Sequence, residues 1–211
     1  MPESYHLIAD ILSGGGDDLE TTYLPTPRAF RFDARRRLER VQHAETLAQI
    51  LGGLPGRGES IHVVSGSKFD FWTVVPFLVR LLAPGSVLYC STWTLSRTTV
   101  VELCELWDAG TIAMAHFLTG EYFKRRETSV YATLLEAVRA RGGRFRAFAN
   151  HAKVLLIGSA ADDAWLIVEG SANLTGNPRL EQYVFTRDRG LYDFHRAWME
   201  EVFQAKREET L

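Results

Sequence analysis

Two short apolar runs, separated by a polar turn, constrain the fold of this chain more than any other feature. They span Val154 to Ile157 and Trp165 to Val168, and both lack the polar alternation of a strand with one face in water. Uninterrupted runs of this length are typical of strands that are covered on both faces. The sequence therefore predicts two buried strands, with the chain folding back between them.

Polar residues lie immediately outside both runs. His151 and Lys153 precede the first run, and Gly170-Ser171-Ala172-Asn173 follows the second. Side chains two positions apart on a strand share a face, so the imidazole and the ammonium point the same way. If the chain folds back, an imidazole, an ammonium, a hydroxyl and a carboxamide meet at one point. Such a set of groups can bind and attack a phosphate.

These residue types match the needs of phosphodiester cleavage. The reaction requires a nucleophile, neutralisation of the non-bridging oxygens and a proton for the leaving oxygen. The neutral imidazole of His151 can attack phosphorus without a metal. We expect Lys153 and Asn173 to hold phosphate oxygens and Ser171 to add a hydroxyl. Glu181 can accept a hydrogen bond from the other imidazole nitrogen, leaving the attacking nitrogen unprotonated.

The pattern His151-x-Lys153, followed by Gly170-Ser171-x-Asn173, resembles the signature of the phospholipase D superfamily. Glu181 occupies the place of the downstream acid that supports the histidine in nuclease-type members. The superfamily aspartate that follows the lysine falls at Gly158 in this chain. The resemblance implies a phospholipase D-like α/β sandwich and a phosphodiesterase, most specifically a nuclease, that acts through a phosphohistidine.

A single histidine cannot comfortably both become phosphorylated and protonate the leaving group. Members of the resembled superfamily use two motifs related by a two-fold axis, whereas this sequence contains one set. The resemblance therefore implies a homodimer with one shared site, in which one His151 is the nucleophile and its mate is the general acid. An isologous interface is the commonest way to build such a pair.

Other residues are candidates for contacting the substrate at the same edge of the sheet. Gly170 would let the backbone approach an anion closely. Trp93 follows another predicted strand and is a candidate stacking platform for a base, although partly buried packing is the more ordinary role there. Lys68 ends the segment Ser65-Gly66-Ser67-Lys68, which lacks the frame of a phosphate loop and is equally a plain turn.

Two arginine-rich segments are candidate phosphate contacts. Arg36 lies in the run between Arg28 and Arg40, and Arg146 lies among the arginines at positions 139, 141 and 144. Clusters of this kind attract the nucleic-acid backbone. A solvated helix face or helix end explains them at least as well.

Strands and helices alternate through residues 60–150, which favours an α/β sandwich with a mostly parallel or mixed sheet flanked by helices. Residues 1–55 are interpreted as an N-terminal arm with a helix that starts near Ala34 and ends at Gly52-Gly53, and residues 56–211 as the catalytic domain. Thr99 and Glu102 predict a capping box. A C-terminal helix is predicted from an apolar stripe consisting of Leu191, Phe194, Trp198 and Val202.

Composition limits the remaining alternatives. A formal net charge of −2 provides no bulk attraction to nucleic acid, so local clusters must bind it. No apolar run approaches the roughly 18–20 residues of a membrane span, and no secretory signal is visible. Cys90 and Cys104 are expected to be free thiols, which indicates a cytoplasmic setting. The histidines outside the motif show no metal-ligand spacing, so neither a metal nor another cofactor is expected.

Three functions remain open at this point. A homodimeric nuclease acting on DNA or RNA is favoured by the single-motif format and the arginine clusters. A phosphodiesterase acting on lipid would use the same chemistry. A nucleic-acid-binding or assembly protein that has kept the fold and lost turnover is the alternative that Gly158 favours.

Overall fold

A computed structural model of the chain describes residues 42–66, 69–176 and 179–205. Most of the predicted arm, including Arg36, and the candidate Lys68 lie outside these residues. Residues 42–51 are helical, and the helix ends where Gly52 adopts a left-handed φ of 65°, as the Gly-Gly pair predicts. Leu47 and Leu51 of this helix are buried in the larger hydrophobic core. The division of the chain at residue 55 stays a prediction.

A mixed sheet of seven strands forms the centre of the described chain. The strands are β1 (Ser60–Gly66), β2 (Ser86–Thr92), β3 (Ile112–Gly120), β4 (Phe145–Phe148), β5 (Val154–Ser159), β6 (Ala164–Gly170) and β7 (Leu180–Arg187), in the spatial order β1-β7-β6-β5-β2-β3-β4. The pairs β2·β3 and β3·β4 are parallel, and the other four are antiparallel. The predicted α/β class with a mixed sheet is confirmed. Two of the antiparallel pairs, β5·β6 and β6·β7, join strands that follow one another without a crossover helix.

Helices cover both faces of the sheet. They are α1 (residues 42–51), α2 (Phe71–Val79), α3 (Arg97–Asp108), α4 (Glu121–Arg126), α5 (Thr128–Ala140) and α6 (Arg189–Gln204). Residues of α1, α2, α3 and α5 belong to the larger core, and those of α6 belong to a smaller core. Along β5, Leu155 and Ile157 enter the larger core and Leu156 the smaller one, which is the alternation of a strand buried on both faces.

The predicted capping box at Thr99 is wrong. The helix α3 begins earlier, with Ser96 as the N-cap, whose hydroxyl accepts a hydrogen bond from the Thr99 amide at 3.2 Å. The Thr99 hydroxyl donates to the carbonyl oxygen of Leu174 at 3.0 Å. Glu102 accepts from the indole nitrogen of Trp72 at 2.6 Å, so it serves tertiary packing rather than the start of the helix.

The predicted stripe of α6 is also partly wrong. Tyr192, His195 and Met199 are the buried residues of this helix, whereas Phe194 is 65% exposed. The other predicted members, Leu191, Trp198 and Val202, are partly buried against the smaller core. The buried face of the helix is therefore shifted by one residue along the chain from the predicted stripe, and Tyr192 and Met199 enter the smaller core.

A polar cluster attaches α6 to the face of the sheet. Arg144 forms a bidentate ion pair with Glu200, and the hydroxyl of Tyr89 donates to the same carboxylate at 2.8 Å. His116 packs against the ring of Tyr89, and its Nδ1 accepts from the Arg144 amide at 3.1 Å. The hydrogen bonds from Arg144 lower the pKa of Glu200 to about 2, and burial lowers the pKa of His116 to about 4.

Both shifts make the fold sensitive to acid, and we expect the stability of the protein to fall with pH in two stages. The native state keeps His116 neutral, so its contribution is complete above its ordinary pKa of about 6.5 and is lost as the pH falls towards 4. The contribution of Glu200 is complete above about 4.5 and is lost as the pH falls towards 2. Urea unfolding measured from pH 7.5 to 4 tests the first stage.

The substitution His116→Asn retains an acceptor near the position of Nδ1 but does not titrate. Its unfolding free energy should therefore fall less than that of the wild type between pH 6.5 and 4. The control is His62→Asn, at an exposed position on β1. If the unfolding free energies of the wild type and of His116→Asn fell equally between pH 6.5 and 4, His116 would not be the cause of the first stage.

Candidate phosphodiester site at one edge of the sheet

Antiparallel pairing brings the two halves of the motif to the same edge of the sheet. Val154, at the start of β5, pairs with Ser91 near the end of β2 and with Glu169 near the end of β6. The amide of Gly170 donates to the carbonyl of Lys153 at 3.3 Å. The segment carrying His151 and Lys153 therefore enters the sheet between the ends of β2 and β6, as the folding back of the chain predicts.

His151 and Lys153 are in direct contact. The Nζ atom of Lys153 lies 2.9 Å from Nδ1 of His151 and 2.8 Å from the carbonyl oxygen of the same residue. Lys153 is buried, whereas His151 is exposed. Burial lowers the pKa of the Lys153 ammonium, and the carboxylate of Glu181 partly opposes this shift. A desolvated cation beside an accessible imidazole is suited to an anionic ligand.

Asn173 is held in a defined orientation by the loop after β2. Its Oδ1 accepts from the backbone amide of Trp93 at 3.2 Å and lies 3.4 Å from the hydroxyl of Thr92. A backbone N–H can only donate, so the atom of the Asn173 carboxamide that faces the Trp93 amide must be the oxygen. Within the described part of the chain, no group accepts a hydrogen bond from Nδ2 of Asn173.

Ser171 and Glu181 are engaged with each other. The hydroxyl of Ser171 donates to the Glu181 carboxylate and accepts from the amide of Gln182 at 3.1 Å. The single hydroxyl proton is thus used to orient Glu181. The expected roles of Ser171 at the phosphate and of Glu181 at the His151 ring stay predictions. A Cβ at Gly170 would lie 2.8 Å from the Gln182 carbonyl, so the close approach of β6 and β7 requires glycine there.

Of the other candidate substrate-contacting residues, Trp93 lies close to His151, whereas Arg146 makes its contacts elsewhere. The ring of Trp93 lies beside His151, with the centroids 5.9 Å apart. Arg146 lies on β4, and its guanidinium donates to the carbonyls of Val202 and Ala205 at the C-terminus of α6, with the first at 2.6 Å. The contacts of Arg146 thus stabilise a helix end, and its part in substrate binding stays a prediction.

Gly158 has a packing reason to be glycine. It lies in the buried strand β5, opposite Trp165 on β6. A Cβ at this position would lie 2.7 Å from the hydroxyl of Tyr192 and 3.1 Å from the Trp165 ring. Tyr192 and Trp165 therefore fill the space that an aspartate side chain would need. The packing of α6 on the sheet thus leaves no room for a side chain at this position.

Asn150 is a site-supporting residue that sequence patterns do not single out. It is buried, and its Nδ2 donates to the carbonyls of Thr92 and Leu118 at 3.3 and 3.2 Å. Its Oδ1 accepts from the amide of Ala152 at 3.0 Å, while Ser91 donates to the Ala152 carbonyl at 3.2 Å. The loop that presents His151 is therefore tied to β2 and β3. The only sequence signal is a polar residue between a strand and the motif.

The described ranges show neither a metal site nor a membrane helix. They contain no group of three or more His, Cys, Asp or Glu side chains placed to hold a metal ion. None of their helices is long and apolar enough to cross a membrane. Cys90 is buried and Cys104 half-buried, and both are free thiols, as predicted.

The packing of Gly158 leads to a prediction for Gly158→Ala. The added methyl group overlaps the Tyr192 hydroxyl, so we expect a loss of about 1–3 kcal/mol in unfolding free energy. Gly158→Asp should cost more, because it also buries a carboxylate. The loss for Gly158→Ala should be smaller in a Tyr192→Phe background, which lacks the overlapping oxygen. A cost unchanged by Tyr192→Phe, measured by urea unfolding, would contradict this account.

A second prediction concerns Asn150. In Asn150→Asp, a carboxylate oxygen replaces Nδ2 and faces two carbonyl oxygens. In Asn150→Ala, the backbone groups that Asn150 bonds only lose their hydrogen-bond partner. We expect Asn150→Ala to lose roughly 1–3 kcal/mol for each buried group left unpaired, and Asn150→Asp to be the less stable of the two at neutral pH. Urea unfolding of both variants measures the difference. Equal stability, or a more stable Asp variant, would contradict the donor role.

Comparisons with known proteins show the fold of the chain. No family model and no curated protein matches it. A solved structure that does match is the crystal structure of polyphosphate kinase from Porphyromonas gingivalis, with a TM-score of 0.50 and 12% sequence identity. The match covers 72% of this chain and 27% of that chain, so this chain spans about a quarter of that protein. The similarity supports the fold alone: the chain shares its mixed α/β fold with part of that kinase.

Proposed function

We propose that this protein is a metal-independent phosphodiesterase that cleaves nucleic acid, DNA or RNA, through a phosphohistidine on His151. The observation that carries the proposal is the contact of the buried Lys153 ammonium with the exposed His151 ring, 2.9 Å from Nδ1. Asn173 supports it, because its Nδ2 is available as a donor. The polyphosphate kinase that shares the fold is named for phosphoryl transfer, the broader class to which this reaction belongs.

The protonation state of His151 has to change between the free protein and the reaction. An ammonium can only donate, so Nδ1 accepts from Lys153, and the proton of a neutral ring lies on Nε2. Attack through Nε2 requires the proton on Nδ1 instead, and a general acid requires protons on both nitrogens. In both states Lys153 must leave Nδ1. A bound phosphate provides the reason, because its oxygens are better acceptors for the ammonium.

The proposed reaction proceeds in two steps in a homodimer. Nε2 of one His151 forms a bond to phosphorus, while the bond to the leaving oxygen breaks and that oxygen takes a proton from His151 of the second copy. Water then attacks phosphorus, gives its proton to the second His151, and releases the first. Lys153 and Asn173 hold the non-bridging oxygens throughout, and Glu181 is the proposed acceptor for the proton on Nδ1.

A second candidate is a binding protein that has kept the fold and lost turnover. Gly158 favours it, because the resembled superfamily has an aspartate at this position. A phosphodiesterase acting on lipid would use the same residues as the nuclease.

Cleavage of single- and double-stranded DNA and RNA in excess EDTA tests the proposal. We expect the wild type to cleave at least one of these substrates, and His151→Ala to lose at least about 10²- to 10⁴-fold in rate. His62→Ala removes an exposed histidine from β1 and should leave the rate unchanged. An acid-labile phosphate should be trapped on the wild type and be absent from His151→Ala.

The outcomes separate the candidates. Cleavage that requires a metal, or that survives in His151→Ala, would overturn the histidine mechanism. A protein that is monomeric by sedimentation at concentrations where it cleaves would overturn the shared site. Binding of nucleic acid without cleavage would favour the binding protein, and EDTA-resistant cleavage of a simple phosphodiester alone would favour another phosphodiester substrate.

A further inference from the structure

Trp93 and Tyr122 form an aromatic pair beside the candidate site. Their rings are stacked, with centroids 4.4 Å apart and planes 22° apart. Both side chains are partly exposed, and neither residue belongs to the larger or the smaller core. Packing of the cores therefore does not account for two stacked rings at this edge of the sheet.

The position of Trp93 is fixed by backbone contacts on two sides. Its amide donates to Oδ1 of Asn173 at 3.2 Å, and its carbonyl accepts from the amide of Gly120 at 3.1 Å. A Cβ at Gly120 would lie 2.5 Å from Cδ1 of the indole, so the ring lies directly over this glycine. The same contacts that orient the phosphate-binding carboxamide thus also set the position of the aromatic ring.

We propose that Trp93 and Tyr122 bind an unpaired nucleobase next to the scissile phosphate, so that the substrate is single-stranded at the site. The proposal rests on the proposed function. The 5.9 Å between the rings of Trp93 and His151 is a spacing that one nucleotide can span, with its phosphate at His151 and its base at the indole. A base in a duplex is already stacked on both sides, whereas an unpaired base has a face available for stacking.

Positively charged side chains follow Tyr122 along the helix α4. Tyr122 lies in the first turn of α4, and Lys124, Arg125 and Arg126 occupy its last turn. All three side chains are exposed, and Arg125 forms an ion pair with Glu121 at 3.2 Å. A strand whose base stacks on the indole would pass close to Tyr122, and its neighbouring phosphates could reach these cations. Such a combination of stacking and cations is common to proteins that bind single strands.

The test compares two probes that have the same backbone charge and differ only in their bases. The probes are a short oligothymidylate and an abasic oligomer of equal length, each labelled at the 5′ end. Binding is measured by fluorescence anisotropy on the full chain with His151→Asn, which prevents cleavage. We expect the oligothymidylate to bind about 5- to 150-fold more tightly, the range for stacking of one base.

Substitutions then assign this preference to the pair. Trp93→Leu and Tyr122→Leu should each weaken binding of the oligothymidylate and leave binding of the abasic oligomer unchanged. Trp93→Phe should retain part of the preference, because it retains a ring. Trp165→Leu is the matched control, since Trp165 is a partly exposed tryptophan at the other end of β6, under Arg189.

Failure of this proposal is distinguishable from failure of the proposed function. Equal affinity for the two probes, or equal losses in Trp93→Leu for both, would overturn the stacking site while EDTA-resistant cleavage still supports the nuclease. A base preference that depends on Trp93 and Tyr122, without cleavage by the wild type, would support the stacking site and overturn the nuclease. Tighter binding to duplex DNA than to either probe would overturn the single-strand inference.

Discussion

The antiparallel pairing of β5 with both β2 and β6 is the constraint on which the rest of the molecule depends. Every residue of β5 is buried, and its side chains supply both hydrophobic cores. Burial of such a strand stabilises the fold and fixes its register, because a slip by one residue would exchange its two faces. That register places His151 and Lys153 between the ends of β2 and β6. The geometry of the candidate site is therefore a consequence of how the central strand pairs.

Much of this arrangement is readable from the sequence, and the reason is physical. An unbroken apolar run predicts a strand buried on both faces, and polar residues just outside two such runs must meet if the runs pair. The errors arise where local pattern competes with tertiary contacts. Thr99 fits a capping box, but its hydroxyl donates to Leu174. Phe194 fits an apolar stripe, but the buried face of α6 carries Tyr192 and Met199 instead.

Residues that act through long-range contacts are those that sequence patterns miss. Asn150 holds three backbone segments together, yet nothing in its neighbourhood distinguishes it from an ordinary turn residue. Tyr122 attracts no notice in the sequence, and only the structure shows that its ring stacks on that of Trp93. In the sequence, Gly158 only stands out because it differs from the resembled motif; the structure shows that Tyr192 packs against it. Composition and spacing do not encode such pairings, because they depend on which elements become neighbours.

The carbonyl oxygen of Leu174 accepts from both the amide of Ser96 and the hydroxyl of Thr99, which joins the loop of Asn173 to the start of α3. Moving the two segments apart would break both of these hydrogen bonds. The backbone at Leu174 thus loses conformational entropy when the chain folds, rather than when a ligand arrives. For an anion bound at Asn173 as proposed, less of the binding free energy would be spent on fixing the backbone around this donor.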